Sequence, residues 1–282
     1  MGFKEFLPTF ERAEHIANGT NLRNAGWGTV RLRGVPPRST LLNATLYWGL
    51  ILPNDTAGPP PFMTVTIEGH RTTGALIGIA REPCWNAAGI YVLYAANVNA
   101  FIPPAINGDY QVDCFPSKVT TAENPWEFVD TGFTMAEGAS LVVIFTNPNI
   151  LLGNVYTHTG PAYFDNTITI NHNLNPVAPP NSLLRHTRIG ADGQVGGGLI
   201  SLLPTTDERT FINALQIKGP TSPLNGDSDW NGDDGGPLNQ LWDTHTDEFE
   251  SVISAGAANY TVRYVSPNGD CVNPSVHVVT IK

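Results

Sequence analysis

The sequence predicts an all-β fold, namely two tandem jelly-roll-like β-sandwiches that follow an N-terminal arm. Short runs rich in Val, Ile, Thr and aromatic residues recur along the whole chain, which is the pattern of strands. The 28 Gly and 23 Pro bound nearly all of these runs and mark frequent turns. Helical periodicity is nearly absent, and the best helical candidates, 9–16, 97–102 and 247–254, are one or two turns long. Regular recurrence of short strands favours a sandwich or a jelly roll.

The predicted strands fall into two sets. Those of the first set are 29–34, 44–52, 63–69, 75–80, 91–96, 110–115 and 140–145, and those of the second are 167–172, 211–217, 260–265 and 275–281. We therefore divide the chain into an arm (1–20), a first sandwich (21–152) and a second sandwich (153–282).

The two sandwiches repeat one order of features. In each, a Trp precedes a short amphipathic stretch, then a strand that begins near a Tyr, then an apolar closing strand. The first copy is Trp85, "NVNAFI", "NGDYQV" and "GASLVVIF"; the second is Trp242, "DEFESVI", "AANYTV" and "PSVHVVTI". This order favours a duplicated sandwich with a boundary near 146–154, and chance recurrence of common strand patterns is the alternative.

Composition excludes some classes of function. The net charge of −10 and the lack of a Lys/Arg cluster argue against nucleic acid as a partner. No apolar run is long enough to span a membrane. The charged start "MGFKEFLPTFERAEHI" does not fit a signal peptide, so a signal has been removed or the protein leaves the cell by lysis.

The stretch "NGDSDWNGDDGG" (225–236) predicts a calcium loop. Asp227, Asp229 and Asn231 stand at the spacing of the first three ligands of such a loop, Gly232 allows the sharp turn, and Asp233 adds a carboxylate. Leu238 stands where an EF-hand has its glutamate, so the loop is not an EF-hand. Any calcium bound here is expected to stiffen the loop. A solvated turn is the alternative interpretation.

The three cysteines match no zinc or redox motif. We expect Cys84 and Cys114 to form an intrachain disulfide. Cys271 is then a free buried thiol or forms a bond to another chain.

The N-terminal arm is the predicted assembly element. Its apolar residues are Phe3, Phe6, Leu7 and Phe10. An arm outside the core needs a surface to lie on, and a neighbouring subunit that accepts an added strand supplies one. Packing on its own domain is the alternative.

No catalytic constellation is visible. The seven histidines have no paired metal spacing, and no nucleophile-elbow motif is present. Trp126 and Trp230, in long loops, are candidates for stacking on a sugar if the chain is instead a carbohydrate-binding or adhesive module. A polysaccharide hydrolase is the least favoured alternative, because it requires two acids to meet in one pocket.

Several motifs resemble an uncharacterised secreted-protein domain family found on bacterial and archaeal surface proteins. The motifs are "IGADGQ" (189–194), "LWDTHTDEFESVI" (241–253) and "NGDCVNPSVHVVTI" (268–281), together with "ATLYWG", "NGDYQV" and "EGASLVVIF" in the first half. The chain departs from the pattern by inserting Ala191 into the "GDGQ" turn. The resemblance implies an exported or surface-exposed β protein, and it supplies no catalytic residues.

Together these observations predict a non-enzymatic structural protein of a cell, spore or virion surface. We expect it to be extracellular or surface-bound and to assemble with copies of itself into a fibre, appendage or layer. Glycans are the partner in the alternative interpretation, and calcium is the predicted bound ion.

Overall fold

The computed structural model describes residues 3–23, 25–53, 58–81, 89–116, 134–180, 183–191, 208–220, 230, 232, 241–267 and 271–282. These residues confirm an all-β fold, and their helical content is one 3₁₀ turn at Asn99–Phe101. None of their elements is a helix long and apolar enough to cross a membrane.

The described residues form sixteen strands. The first eight are β1 (Lys4–Asn21), β2 (Gly28–Leu32), β3 (Thr40–Leu52), β4 (Phe62–Ile67), β5 (His70–Arg81), β6 (Ile90–Asn97), β7 (Gly108–Asp113) and β8 (Met135–Thr146). The second eight are β9 (Gly153–Thr159), β10 (Thr167–Asn173), β11 (Leu183–Ala191), β12 (Arg209–Ile212), β13 (Leu215–Lys218), β14 (Trp242–Glu250), β15 (Asn259–Val265) and β16 (Asn273–Ile281).

Twelve strands form a curved, half-barrel antiparallel sheet and four form a second antiparallel sheet. The large sheet has the order β14-β11-β16-β9-β1-β8-β3-β6-β5-β4-β7-β2, and the small sheet has the order β10-β15-β12-β13. We call β1–β8 the first half and β9–β16 the second half. When the strands of each half are renumbered from 1 to 8, both halves have the neighbour orders 1-8-3-6 and 5-4-7-2. The halves differ in that β6 pairs with β5, whereas no pairing joins β14 to β13 in the described residues.

Strand β1 joins the two halves. Its first part, Lys4–Ala13, pairs with β9, and its second part, from Glu14 to Asn21, pairs with β8. Register shifts interrupt the pairing with β9, and such bulges bend a strand. The bend lets β1 pass from β9 to β8 and so connect the two halves of the large sheet.

The N-terminal segment is therefore not a free arm, which corrects the sequence prediction. All of β1 pairs within its own chain, residues 4–13 with β9 and residues 14–21 with β8. Phe6, Leu7 and Phe10 pack against buried residues between the halves, and Phe3 packs against the interior of the second half. These four side chains are half-buried by their own chain, so the coupling of subunits through them has no support here. The helical candidate 9–16 is likewise a strand, since it lies within β1.

Three apolar layers hold the molecule together. One fills the first half, one fills the second half, and one lies between the halves. Strand β3 serves two of them, because Leu46, Trp48 and Leu50 face the first-half interior while Tyr47 and Ile51 face the layer between the halves. Burial on both faces explains why "ATLYWGLIL" is apolar throughout instead of alternating.

The indole of Trp242 is the main anchor of the layer between the halves. It lies against Gly138 and Gly49 of the first half, where any Cβ would collide with the ring. Its Nε1 donates to Ser140 Oγ at 2.8 Å. Two glycines thus make room for an aromatic ring from the other half.

The cysteines do not pair as predicted. Cys114 is free and exposed, and Cys271 is disulfide-bonded. Cys114 follows the end of β7 with a φ of 64°, so its side chain points to solvent away from the sheet. Cys84 lies outside the described residues.

Candidate functional site

Four buried histidines meet in the interior of the second half. They are His158 of β9, His172 of β10, His186 of β11 and His277 of β16, each 2% exposed or less. Three of their strands belong to the large sheet and β10 belongs to the small sheet, so the cluster spans the gap between the sheets.

Strand periodicity places these side chains. Successive residues of a strand point to opposite faces. His158 therefore shares a face with Tyr156, His186 with Leu184, and His277 with Val279, and these three partners belong to the interior of the second half. Each histidine occupies a position where an aliphatic residue is expected.

One chain of hydrogen bonds connects two histidines of the cluster with a tyrosine. His172 Nε2 lies 2.7 Å from His277 Nδ1, and His277 Nε2 lies 2.5 Å from the Tyr264 hydroxyl. His158 Nε2 lies 2.7 Å from the carbonyl oxygen of Asn173. A carbonyl only accepts, so His158 carries its proton on Nε2. The Nδ1 atoms of His158 and His172 are buried without a hydrogen-bond partner.

His186 belongs to a second branch. Its Nδ1 lies 3.1 Å from Arg188 Nη1, and a guanidinium only donates, so Nδ1 is the acceptor. Its Nε2 lies 3.5 Å from the Tyr260 hydroxyl, at the far limit of a hydrogen bond. This arrangement requires a neutral imidazole that is protonated on Nε2.

An ion-pair group lies beside this branch. The guanidinium of Arg188 is fully buried and pairs with the Asp247 carboxylate. Lys218 Nζ lies 3.5 Å from the same carboxylate. Burial of Asp247 raises its pKa, but the charges of Arg188 and Lys218 outweigh burial and lower the pKa overall. Asp247 is thus a stable anion between two cations.

The electrostatics of the cluster favour neutral imidazoles. Burial lowers the pKa of His158, and it lowers the pKa of His172, His186 and His277 well below 6.5. The charge of Arg188 adds to this effect at His186 and His277, because a second positive charge nearby is unfavourable. At neutral pH the cluster is a hydrogen-bonded network without histidine charge.

The N-terminal segment covers the cluster. The ring of Phe3 stacks on His277 with centroids 4.5 Å apart, and it meets the edge of His172 at 5.3 Å. Phe3 precedes β1, so the strand that joins the halves also places an aromatic ring over the histidines.

The described residues contain no group of three or more His, Cys, Asp or Glu that is placed to hold a metal ion. The predicted calcium ligands Asp227, Asp229, Asn231 and Asp233 lie outside the described residues. Gly232 of that loop is described, has a φ of 66° and donates its N–H to Asp243 Oδ1 at 2.8 Å. Gly232 thus has the left-handed backbone conformation that favours glycine, and it is hydrogen-bonded to β14.

Of the two candidates for sugar stacking, Trp230 does not present its ring at the surface. Trp230 is fully buried and packs edge-on against Tyr264, with centroids 5.3 Å apart. Its place in a long loop predicts exposure, but the ring inserts into the interior over Gly190. Trp126 lies outside the described residues.

Sequence reasoning missed the histidine cluster. His172 and His277 lie in predicted strands, so their faces follow from alternation, but the sequence predicts no strand around His158 or His186. Which faces meet depends on strand order, and no spacing along the chain encodes it.

Comparison with known proteins gives no family assignment. No protein-family model matches the chain, and no curated protein matches it. Among solved structures, that of dimeric latent PorU from Porphyromonas gingivalis is similar over 86% of this chain, with 9% identity and a TM-score of 0.28. This chain spans 24% of the PorU chain, and a likeness this distant carries no argument about function. The resemblance to a secreted-protein domain family thus rests on the quoted motifs alone.

Proposed function

We propose that the chain is two jelly rolls in tandem and serves as a non-enzymatic structural protein of a cell, spore or virion surface. Copies of it assemble into a fibre, appendage or layer. The observation that carries the proposal is the repeated strand order, 1-8-3-6 and 5-4-7-2, in both halves. This order is that of two interlocked Greek keys, and jelly rolls of this kind build viral capsids and lectins.

The joint between the halves supports a structural role. Strand β1 pairs with β8 on one side and β9 on the other, and a buried apolar layer lies between the halves. The two units are therefore tied by backbone hydrogen bonds and by packing. A block of this kind suits service as a rigid subunit, and it needs no arm to hold it together.

Calcium is part of the proposal as a stiffener of the 225–236 loop. The left-handed φ of Gly232 and its hydrogen bond to Asp243 support this proposal, since position 6 of a calcium loop needs such a conformation. A cation held by Asp227, Asp229, Asn231 and Asp233 would fix the loop through oxygen ligands.

The test is negative-stain electron microscopy of the purified full chain across a concentration series, with light scattering in parallel. Samples contain either calcium or a chelator. We expect regular fibres or sheets that grow with concentration and become less ordered in chelator. Monodisperse monomers at every concentration and in both buffers would overturn the assembly proposal.

A further inference from the structure

A groove on the surface of the molecule lies where the two halves meet. It has a volume of about 490 Å³ and is lined by β1, β2, β11 and β14. Its charged lining residues are Arg31, Arg33, Arg185 and Glu248. Binding pockets for small ligands are commonly about 300–1,000 Å³, so this groove has room for one.

The positive charges of the groove exceed its negative charges. Arg33 pairs with Asp109. Arg185 Nη2 lies 3.1 Å from Glu248, and Lys282 Nζ lies 2.5 Å from Glu14 Oε2 and 2.8 Å from Glu248 Oε2. The structure gives Arg31 no hydrogen bond or ion pair for its side chain within the described residues, and that side chain is exposed. One guanidinium is thus left over in a chain whose net charge is −10.

The groove is held in shape from both halves. Asn18 Nδ2 donates to the carbonyl oxygen of Arg31 at 2.7 Å, which fixes β2 against β1. Arg33 Nη1 donates to the carbonyl oxygen of Gly108 at 2.7 Å. Arg185 Nη1 donates to the carbonyl oxygen of His15 at 3.2 Å. Arg33 and Arg185 are therefore held in the wall of the groove, whereas the Arg31 side chain is free to turn toward a ligand.

We infer that this groove binds a carboxylate-bearing small ligand through Arg31. A guanidinium offers two parallel N–H donors that match the two oxygens of a carboxylate. Glu248 is paired with Arg185 and Lys282, so its charge does not exclude an anion from the groove. The ligand is either a uronic-acid sugar or a simple organic acid. This inference goes beyond the proposed function, and neither depends on the other.

The experiment is isothermal titration calorimetry of the full chain at low salt with three probes: trigalacturonate, citrate and the neutral sugar maltotriose. The variants are Arg31→Ala, Arg31→Lys and the control Arg71→Ala, which removes the same charge from an exposed position of β5 outside the groove. Far-UV circular dichroism and thermal unfolding verify that each variant is folded.

We expect Arg31→Ala to weaken carboxylate binding about tenfold, which is the scale of one charge-assisted hydrogen-bonded pair. The affinity of Arg31→Lys lies between those of Arg31→Ala and the unaltered chain. Arg71→Ala binds as the unaltered chain does. Binding of trigalacturonate alone identifies a uronic-acid sugar, and binding of citrate as well identifies general carboxylate recognition. Lack of binding to both acids, equal affinity for maltotriose, or equal losses in Arg31→Ala and Arg71→Ala each overturn the inference.

Discussion

The two halves of the molecule share one strand order and differ in what that order encloses. In the first half, β8 presents Leu141, Val143 and Phe145 to the interior. In the second half, the closing strand β16 presents His277, Val279 and Ile281. The corresponding third strands differ in the same way. Strand β3 presents Leu46, Trp48 and Leu50, and β11 presents Leu184, His186 and Arg188.

This difference shows that strand order does not determine whether the interior is apolar or polar. An apolar interior is stabilised by burial alone, which is roughly proportional to area and needs no exact partners. A polar interior is stable only when its donors and acceptors find one another. The second half meets that condition with a network in which His277 contacts both His172 and Tyr264. One topology can therefore enclose two kinds of core, and in the second half the buried histidines make stability depend on protonation.

Acidification is expected to give the largest difference in stability between the two halves. The buried histidines have a lower pKa in the folded state than the ordinary 6.5, chiefly because of burial. Below pH 6.5 the unfolded chain therefore binds more protons, and stability falls as the pH falls toward the folded-state pKa values. Each histidine contributes up to about 1.4 kcal/mol per pH unit, so four contribute up to about 5 kcal/mol per unit.

The measurement is guanidinium unfolding at pH 7.5, 6.5 and 5.5, with hydrogen exchange read by mass spectrometry. We expect the second half to lose protection at pH 5.5 while peptides of β3 and β8 keep theirs. A free energy of unfolding that is constant over this range would contradict neutral burial of the cluster.

Removal of a charge tests the same contrast at constant pH. Asp247→Asn removes the carboxylate that Arg188 and Lys218 face in the interior, so we expect a loss of about 3 kcal/mol in the free energy of unfolding. The matched change in the first half is Asp109→Asn, whose pair with Arg33 is exposed and worth less than about 1 kcal/mol. Equal losses in the two variants, measured by denaturant titration, would show that the second interior is not polar as described.

His277→Leu turns one position of the second half into that of the first. At pH 7.5 we expect a loss of about 2 kcal/mol, because two buried hydrogen bonds disappear. Removing one histidine also lowers the pH dependence by about 1.4 kcal/mol per unit, so the variant overtakes the unaltered chain in acid. The reciprocal Leu141→His serves as control and gives the first half a pH dependence. Parallel pH profiles for His277→Leu and the unaltered chain would count against the network.

Strand content follows from the sequence where alternation and turns are local. "YTVRYV" became β15 and "TITINH" became β10, since each has one buried and one more exposed face. The Tyr-led strand and the closing strand of the repeat lie on corresponding strands, β7 and β8 in the first half and β15 and β16 in the second, and Trp85 lies outside the described residues. These patterns need only a few neighbouring residues to be read.

The features that the sequence did not predict depend on contacts between residues that are distant in sequence. The segment 9–16 resembles a helix because bulges in β1 break the period of two, and those bulges exist only against β9. Trp230 lies in a polar stretch, yet Gly190 leaves space for its ring. The histidines come from four separate strands, so strand order alone brings them together.

The smallest predicted effect concerns the joint between the halves. The Tyr91 hydroxyl lies 2.8 Å from Ser275 Oγ, and Ser275 donates its own proton to the carbonyl oxygen of Asn273, so Tyr91 is the donor. We expect Tyr91→Phe to cost about 1 kcal/mol, the ordinary net value of one hydrogen bond. A double-mutant cycle with Ser275→Ala isolates the bond, with a coupling of similar size. Ser140→Ala, which removes the acceptor of Trp242, is the matched control at the same joint and leaves the Tyr91–Ser275 coupling unchanged. Zero coupling between Tyr91 and Ser275 would mean that this side-chain bond adds nothing to the backbone pairing of β1 and the packing around Trp242 that join the halves.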